Sequence, residues 1–203
     1  MANTDTPFGL KPLRHGNGNP WNGMVNVYYH AAADSTPIFK GDPVIHGGTA
    51  DTTGKYPTVV QAIGTGATPS TTIVGVAVGF GYTPQIAARI DNLSAVNYCP
   101  ASTAMYIAVV DDPFMVYEIQ ENGESDPFVA ADIGLNCDML DTDGSATTGI
   151  SAFEMDSDGA TETSSTMQLR TLRIVNREGN ALGAHCKWEV MINEHWLVST
   201  TGA

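Results

Sequence analysis

Apolar and polar residues alternate in short runs along most of the chain, a pattern of strands rather than helices. Across residues 24–29, Val25, Val27 and Tyr29 share one face, which predicts a half-buried strand. Residues 39–45, Phe39-Lys40-Gly41-Asp42-Pro43-Val44-Ile45, predict a turn feeding a short strand. Pro43 suits its first position or an edge, where a missing N–H is tolerated. Residues 59–63 predict another short strand. In residues 72–80, Val74, Val76, Val78 and Phe80 load one face with bulk, while Ile73, Gly75, Ala77 and Gly79 keep the other small. A small face lets a neighbouring backbone approach closely, in a curved barrel strand or at a subunit contact.

Further along, residues 104–110 and 114–120 are two β-rich runs separated by Asp111-Asp112-Pro113, the length and chemistry of a hairpin. Met115, Tyr117 and Ile119 share a face of the second run. Residues 126–140 have no period of two and leave room for a short helical turn. Residues 141–165 are rich in Gly, Ser, Thr and Asp and offer little core material. Strand character returns over 167–175, with a bulge expected near Arg170 where apolar parity switches. In residues 187–198, Trp188, Val190, Ile192, Trp196 and Val198 line one face, interrupted by Glu194.

These runs amount to about eight to ten short strands without a long amphipathic helix, which predicts an all-β barrel or sandwich. Residues 1–22 are rich in Gly, Asn and Pro and predict an extended N-terminal arm. Residues 23–203 form the expected β-rich domain, with a candidate split near 121–146.

Composition narrows the function. The 203 residues hold 22 acids against 9 bases, a net charge of −13, which argues against a nucleic-acid or anionic-membrane partner. No run approaches the roughly 18 apolar residues of a membrane helix, and the opening residues lack the apolar stretch of a secretory signal. Between Arg89 and Arg170 there is no Lys or Arg, while 15 of the 22 acids lie there. Such a region must face solvent, bind a cation, or meet bases of another segment or chain. Cys99, Cys137 and Cys186 are odd in number and far apart, so they are expected reduced and buried.

Two turns share the form Asp-x-Asp-Gly, at Asp141–Gly144 and Asp156–Gly159. An EF-hand would place a Glu six residues after each Gly, where the chain has Ile150 and Ser165. Asp141, Asp143, Asp156 and Asp158 remain weak Ca²⁺ candidates; the plainer reading is that each Gly supplies a positive φ for a turn. His15, His30, His46, His185 and His195 show no zinc spacing. Glu194 and His195 are neighbours whose side chains would point to opposite faces of a strand. There is no GxSxG and no phosphate-binding lysine after Gly64-Thr65-Gly66, and Asp111-Asp112 on a turn are expected to be solvated. No catalytic residue, metal or cofactor is expected. Trp21, Tyr28, Tyr29, Tyr82, Trp188 and Trp196 are core or interface aromatics.

Several phrases together resemble the capsid-associated structural proteins of tailed bacteriophages. They are Thr6-Pro7-Phe8-Gly9-Leu10-Lys11-Pro12, Asp111-Asp112-Pro113 followed by Tyr117-Glu118-Ile119-Gln120, Asp132-Ile133-Gly134-Leu135-Asn136 and Ile192-Asn193-Glu194-His195. Gly41-Asp42-x-Val44 and Val74-Gly75-Val76-Ala77 are similar to the barrel of phage head-decoration proteins. The resemblance implies a capsid decoration, or cement, protein made in the host cytoplasm. It would bind the outer surface of the head and join neighbouring major capsid subunits. Self-association as a trimer or dimer is expected, with avidity on the lattice compensating for weak single contacts. From the arm's position, Leu10, Lys11, Leu13, Arg14 and Trp21 are the expected contacts. The alternatives are a neck, tail or fibre-base component, and a Ca²⁺-assisted carbohydrate-binding sandwich.

Overall fold

The computed structural model describes residues 3–62, 72–81, 96–157 and 167–198. Its order is β1 (Lys11–His15), β2 (Asn26–His30), β3 (Pro43–Ala50), β4 (Pro57–Gln61), β5 (Ile73–Phe80), β6 (Met105–Val110), β7 (Met115–Gln120), β8 (Asn136–Cys137), β9 (Met139–Leu140), β10 (Glu154–Met155), β11 (Leu169–Ile174) and β12 (Lys187–Ile192). One sheet of five strands runs β1-β7-β12-β11-β8; β2-β4-β3-β5-β6 close into a barrel; β9 and β10 form a two-stranded ribbon. The all-β expectation holds. Among the described residues no helix is long and apolar enough to cross a membrane.

Two buried clusters organise these layers. The larger gathers Met115, Tyr117 and Ile119 of β7 with Trp188, Val190 and Ile192 of β12, so both predicted faces point inward. The smaller fills the barrel with Tyr28, Val44, Val59, Ile107 and Val109. β5 serves both: Ile73 and Val76 belong to the first, Val74 and Ala77 to the second. A Cβ on Gly75 would lie 2.2 Å from the Val110 carbonyl oxygen, so the small position on β5 permits the close approach its sequence implied.

Several expectations are corrected. The residues read as an arm instead include β1, which pairs antiparallel with β7, and Leu10 is 1% exposed in the larger cluster. Residues 104–120 are not a hairpin. β6 lies between β5 and β2 in the closed barrel, so both its edges are taken and Asp111-Asp112-Pro113 carries the chain to the other sheet. On β2 the inward residues are Tyr28 and His30, while Val25 is exposed. Tyr28 donates to Asp111 at 2.8 Å, and the His30 Nδ1 lies 2.9 Å from the Thr103 carbonyl. Residues 141–157 contribute more core than their composition suggested, since Phe153 and Met155 are fully buried.

The predicted last strand ends at Ile192. Beyond it the chain turns, Trp196 donates its backbone N–H to Ile73, and its ring joins the barrel cluster, leaving Val198 exposed. The bulge in β11 falls between Thr171 and Arg173, close to its expected place. A single 3-10 turn over Ala130–Asp132 occupies the stretch that lacked a strand period. Ile63, Tyr82, Asp158, Ser165 and Gly64-Thr65-Gly66 lie outside the described residues.

Candidate functional site

The outer face of the five-stranded sheet is built from charge. Lys11 faces Glu118, Glu118 faces Glu189, and Glu189 faces Arg173 in successive strand registers. Two like charges directly opposite one another are unfavourable unless neutralised. Here Arg173 bonds Glu189 through two atoms at 3.0 and 3.1 Å, Arg14 reaches it at 2.6 Å, and Arg177 bonds Glu118. Burial works against the charge on Glu189, but the bonds from Arg173 and Arg14 hold its carboxyl below the ordinary range. Of the acids in the base-free middle region, Glu118 is thus neutralised by Arg177 from beyond it.

Beside this face opens a cleft of about 650 Å³. Its apolar wall is Phe8, Leu10, Trp21, Val78 and Ile150, and its rim carries Lys11, Lys40, Arg177 and Lys187 against Glu118 and Glu178. Four of the chain's nine bases meet at one place in a molecule of net charge −13. The wall depends on two glycines. Gly9 and Gly41 both have positive φ, and a Cβ on either would lie within 2.5 Å of the other strand's carbonyl region, at Gly41 O and Phe8 O. That contact lets Leu10 donate its backbone N–H to Gly41 at 2.8 Å and sets Phe8 and Leu10 against the core. Trp21 is fixed by its indole N–H on the Met24 carbonyl and by its backbone N–H on Leu13.

Of the five expected contact residues, the cleft brings together Leu10, Lys11 and Trp21. Arg14 turns to Glu189 and Leu13 is half-buried away from the cleft, because a bulge between Pro12 and Arg14 breaks the alternation of β1. Lys40, Val78, Ile150, Arg177 and Lys187 were not expected as contact residues from the sequence. The scarcity of bases was the available signal, since none lies between Arg89 and Arg170.

A second cluster joins Asp5, Glu154 and His185, whose ligand-type atoms all lie within 4.8 Å of one another. Gln120, buried between them, donates from Nε2 to Asp5 Oδ1 at 2.9 Å and to Glu154 Oε1 at 3.0 Å. Burial, and then the nearby Asp5 and Glu121, push the Glu154 carboxyl up to about 7 despite the Gln120 bond. The imidazole packs on Gly123, where a Cβ would lie 2.2 Å from its Cε1. By contrast, among the described residues Asp141, Asp143 and Asp156 form no such group with one another. Gly144 does not have the positive φ expected of its turn; a Cβ there would lie 2.4 Å from the Phe39 ring, so a close approach selects glycine.

A third constellation resembles a nucleophile and base: Cys99 Sγ lies 3.3 Å from His30 Nδ1, and His30 Nε2 lies 3.3 Å from Asp34. All of it but Asp34 is sealed in the barrel, and burial, with the Asp34 charge, pushes the Cys99 thiol up to about 12. His30 Nδ1 spends its hydrogen on the Thr103 carbonyl, so it cannot accept a proton from the thiol there. This is a packed polar contact in the core. Cys137 and Cys186 are likewise buried and free, as expected. Asp111 accepts bonds from Asn26 and Tyr28, and Asp112 sits 2.5 Å from His15, so the crossover acids are half-exposed and also bonded within the fold. Glu194 and His195 lie in the turn after β12, with His195 fully buried.

The chain matches no protein-family model, no curated protein and no solved structure.

Proposed function

We propose that this protein is a structural component of a phage virion, a capsid decoration protein that binds the outer surface of the head and joins neighbouring major capsid subunits. The observation that carries the reading is the cleft: apolar side chains lined together with four of the nine bases against two acids, on a molecule of net charge −13. An acidic, partly apolar segment of a shell subunit is drawn to that mouth and repelled elsewhere, so charge sets its register while the aromatic floor supplies affinity. One wall is the stretch Phe8-Gly9-Leu10-Lys11-Pro12, part of the phrase that resembles the phage proteins. Copies associate with one another as dimers or trimers on the lattice, so each contact can be weak. Packaged DNA would repel the chain, which suits the outside of the head.

The test is the copy number of the protein in purified particles, relative to the major shell protein. A ratio near one, or a simple fraction of it, supports a lattice-wide cement. A few copies per particle would assign it to the neck or tail, and absence would end the structural reading. A second arm probes the cleft itself: Lys11→Glu with Lys187→Glu should release the protein from shells at lower salt than wild type. Unchanged retention would exclude the cleft as the contact.

A further inference from the structure

The cluster at Asp5, Glu154 and His185 draws three segments together: the stretch ahead of β1, the ribbon strand β10, and the loop ahead of β12. Three carboxylates and an imidazole converge there if Glu121 is counted, and among the described residues no lysine or arginine pairs with any of them. Glu121 supplies an independent sign that a cation belongs nearby. Its side chain is fully buried, Oε2 accepts the His185 backbone N–H at 2.7 Å, and Oε1 has no partner among the described residues. The His185 Nδ1, 3.8 Å from Asp5, is also buried without a hydrogen-bond partner among the described residues. A buried carboxylate oxygen and a buried ring nitrogen left unpaired both cost free energy that a bound cation would recover.

We propose that Asp5, Glu154 and His185 bind a first-row divalent cation, Zn²⁺ foremost, with one ligand atom each and Glu121 behind them. The donor set decides the class. Mg²⁺ and Ca²⁺ take oxygen ligands, whereas a mixed set of imidazole and carboxylate suits Zn²⁺ and its neighbours. Gln120 fills the supporting role that ligand carboxylates usually require, because it holds both of them through one amide. Three protein ligands leave a fourth position for water or for a group from a partner. The ion would fasten the segment that carries Phe8 and Leu10 to the cleft, through Asp5, to the ribbon and the large sheet.

The experiment is calorimetric titration of the chelator-stripped full chain with zinc chloride, repeated with magnesium and calcium chlorides. One saturable zinc site is expected, weakened by roughly tenfold or more in Asp5→Asn and in His185→Gln, and unchanged in His15→Gln. Asp5 is 62% exposed, so its amide variant keeps the fold even if His185→Gln does not. No zinc binding, equal binding by Asp5→Asn and wild type, or calcium bound as tightly as zinc would each overturn the assignment.

Discussion

Asp42 shows how one buried carboxyl is held. It is fully buried at the turn into the barrel, where Oδ2 accepts the Phe39 N–H at 2.7 Å and the Gln61 amide at 2.8 Å. Burial outweighs those bonds and pushes its pKa from 3.8 up to about 6. The folded state therefore holds this proton more tightly than the unfolded chain does. The stability it contributes is complete below about pH 3.8 and is lost as pH rises through about 6. The loss amounts to roughly 3 kcal/mol. In Asp42→Asn the amide oxygen still accepts both bonds, so denaturant unfolding between those pH values should show a flatter profile than wild type. Identical profiles would show that Asp42 is not the group responsible.

At the scale of the element, β5 is the piece on which the two cores turn, and Gly75 is its tightest point. A methyl group there meets the Val110 carbonyl and the Val109 side chain, backbone that the closed barrel cannot easily move. Gly75→Ala should destabilise the protein by about 2–3 kcal/mol, measured as a lower denaturant midpoint at unchanged slope; a neutral substitution would mean that β5 and β6 slide freely. The run of β-branched residues made this strand legible in advance but not its faces, since register shifts against both neighbours divide Val74 and Val76 between the two cores. A period of two did expose the inward faces of β7 and β12. Pairing partners were not legible. Asp111-Asp112-Pro113 has hairpin chemistry, yet whether β6 and β7 pair depends on β2 having already claimed β6's edge. β1 was missed because Pro12 and a bulge hide its period, and because its apolar neighbour Leu10 is fixed by a contact with Gly41. Lys11 and Trp21 were legible as contact residues only from their position. The Asp5–Glu154–His185 group had no spacing to betray it, since its members come from three distant segments.

For the whole molecule, the larger cluster crosses the boundary between sheets: Ile73, Val76 and Val110 of the barrel pack with Trp188 and Tyr117 of the five-stranded sheet. Shared burial couples the layers, so thermal unfolding should proceed as one transition seen alike by tryptophan fluorescence and by far-ultraviolet circular dichroism. Leu10→Ala, which opens a void where the first strand meets this cluster, should lower that single transition by the equivalent of about 2–5 kcal/mol. Two separated transitions, or loss of only one signal in the variant, would show that barrel and sheet are independent.

The way residues 3–15 are held also governs the order in which the fold can be completed. Asn3 bonds the backbone of Ala181, 178 positions away, and β1 must await β7 before it has a sheet to join. At ordinary rates of synthesis the segment waits on the order of ten to forty seconds for its last partners to emerge. Until β7 emerges Leu10 lacks the sheet that buries it, and from then until β1 docks the edge of β7 stands open. Any neighbouring chain at the same stage offers an identical strand, in the same register, for the same edge. Crowded ribosomes making many copies thus favour exchange of this strand between molecules, and a dimer so formed would carry every contact of the monomer with its first strand traded.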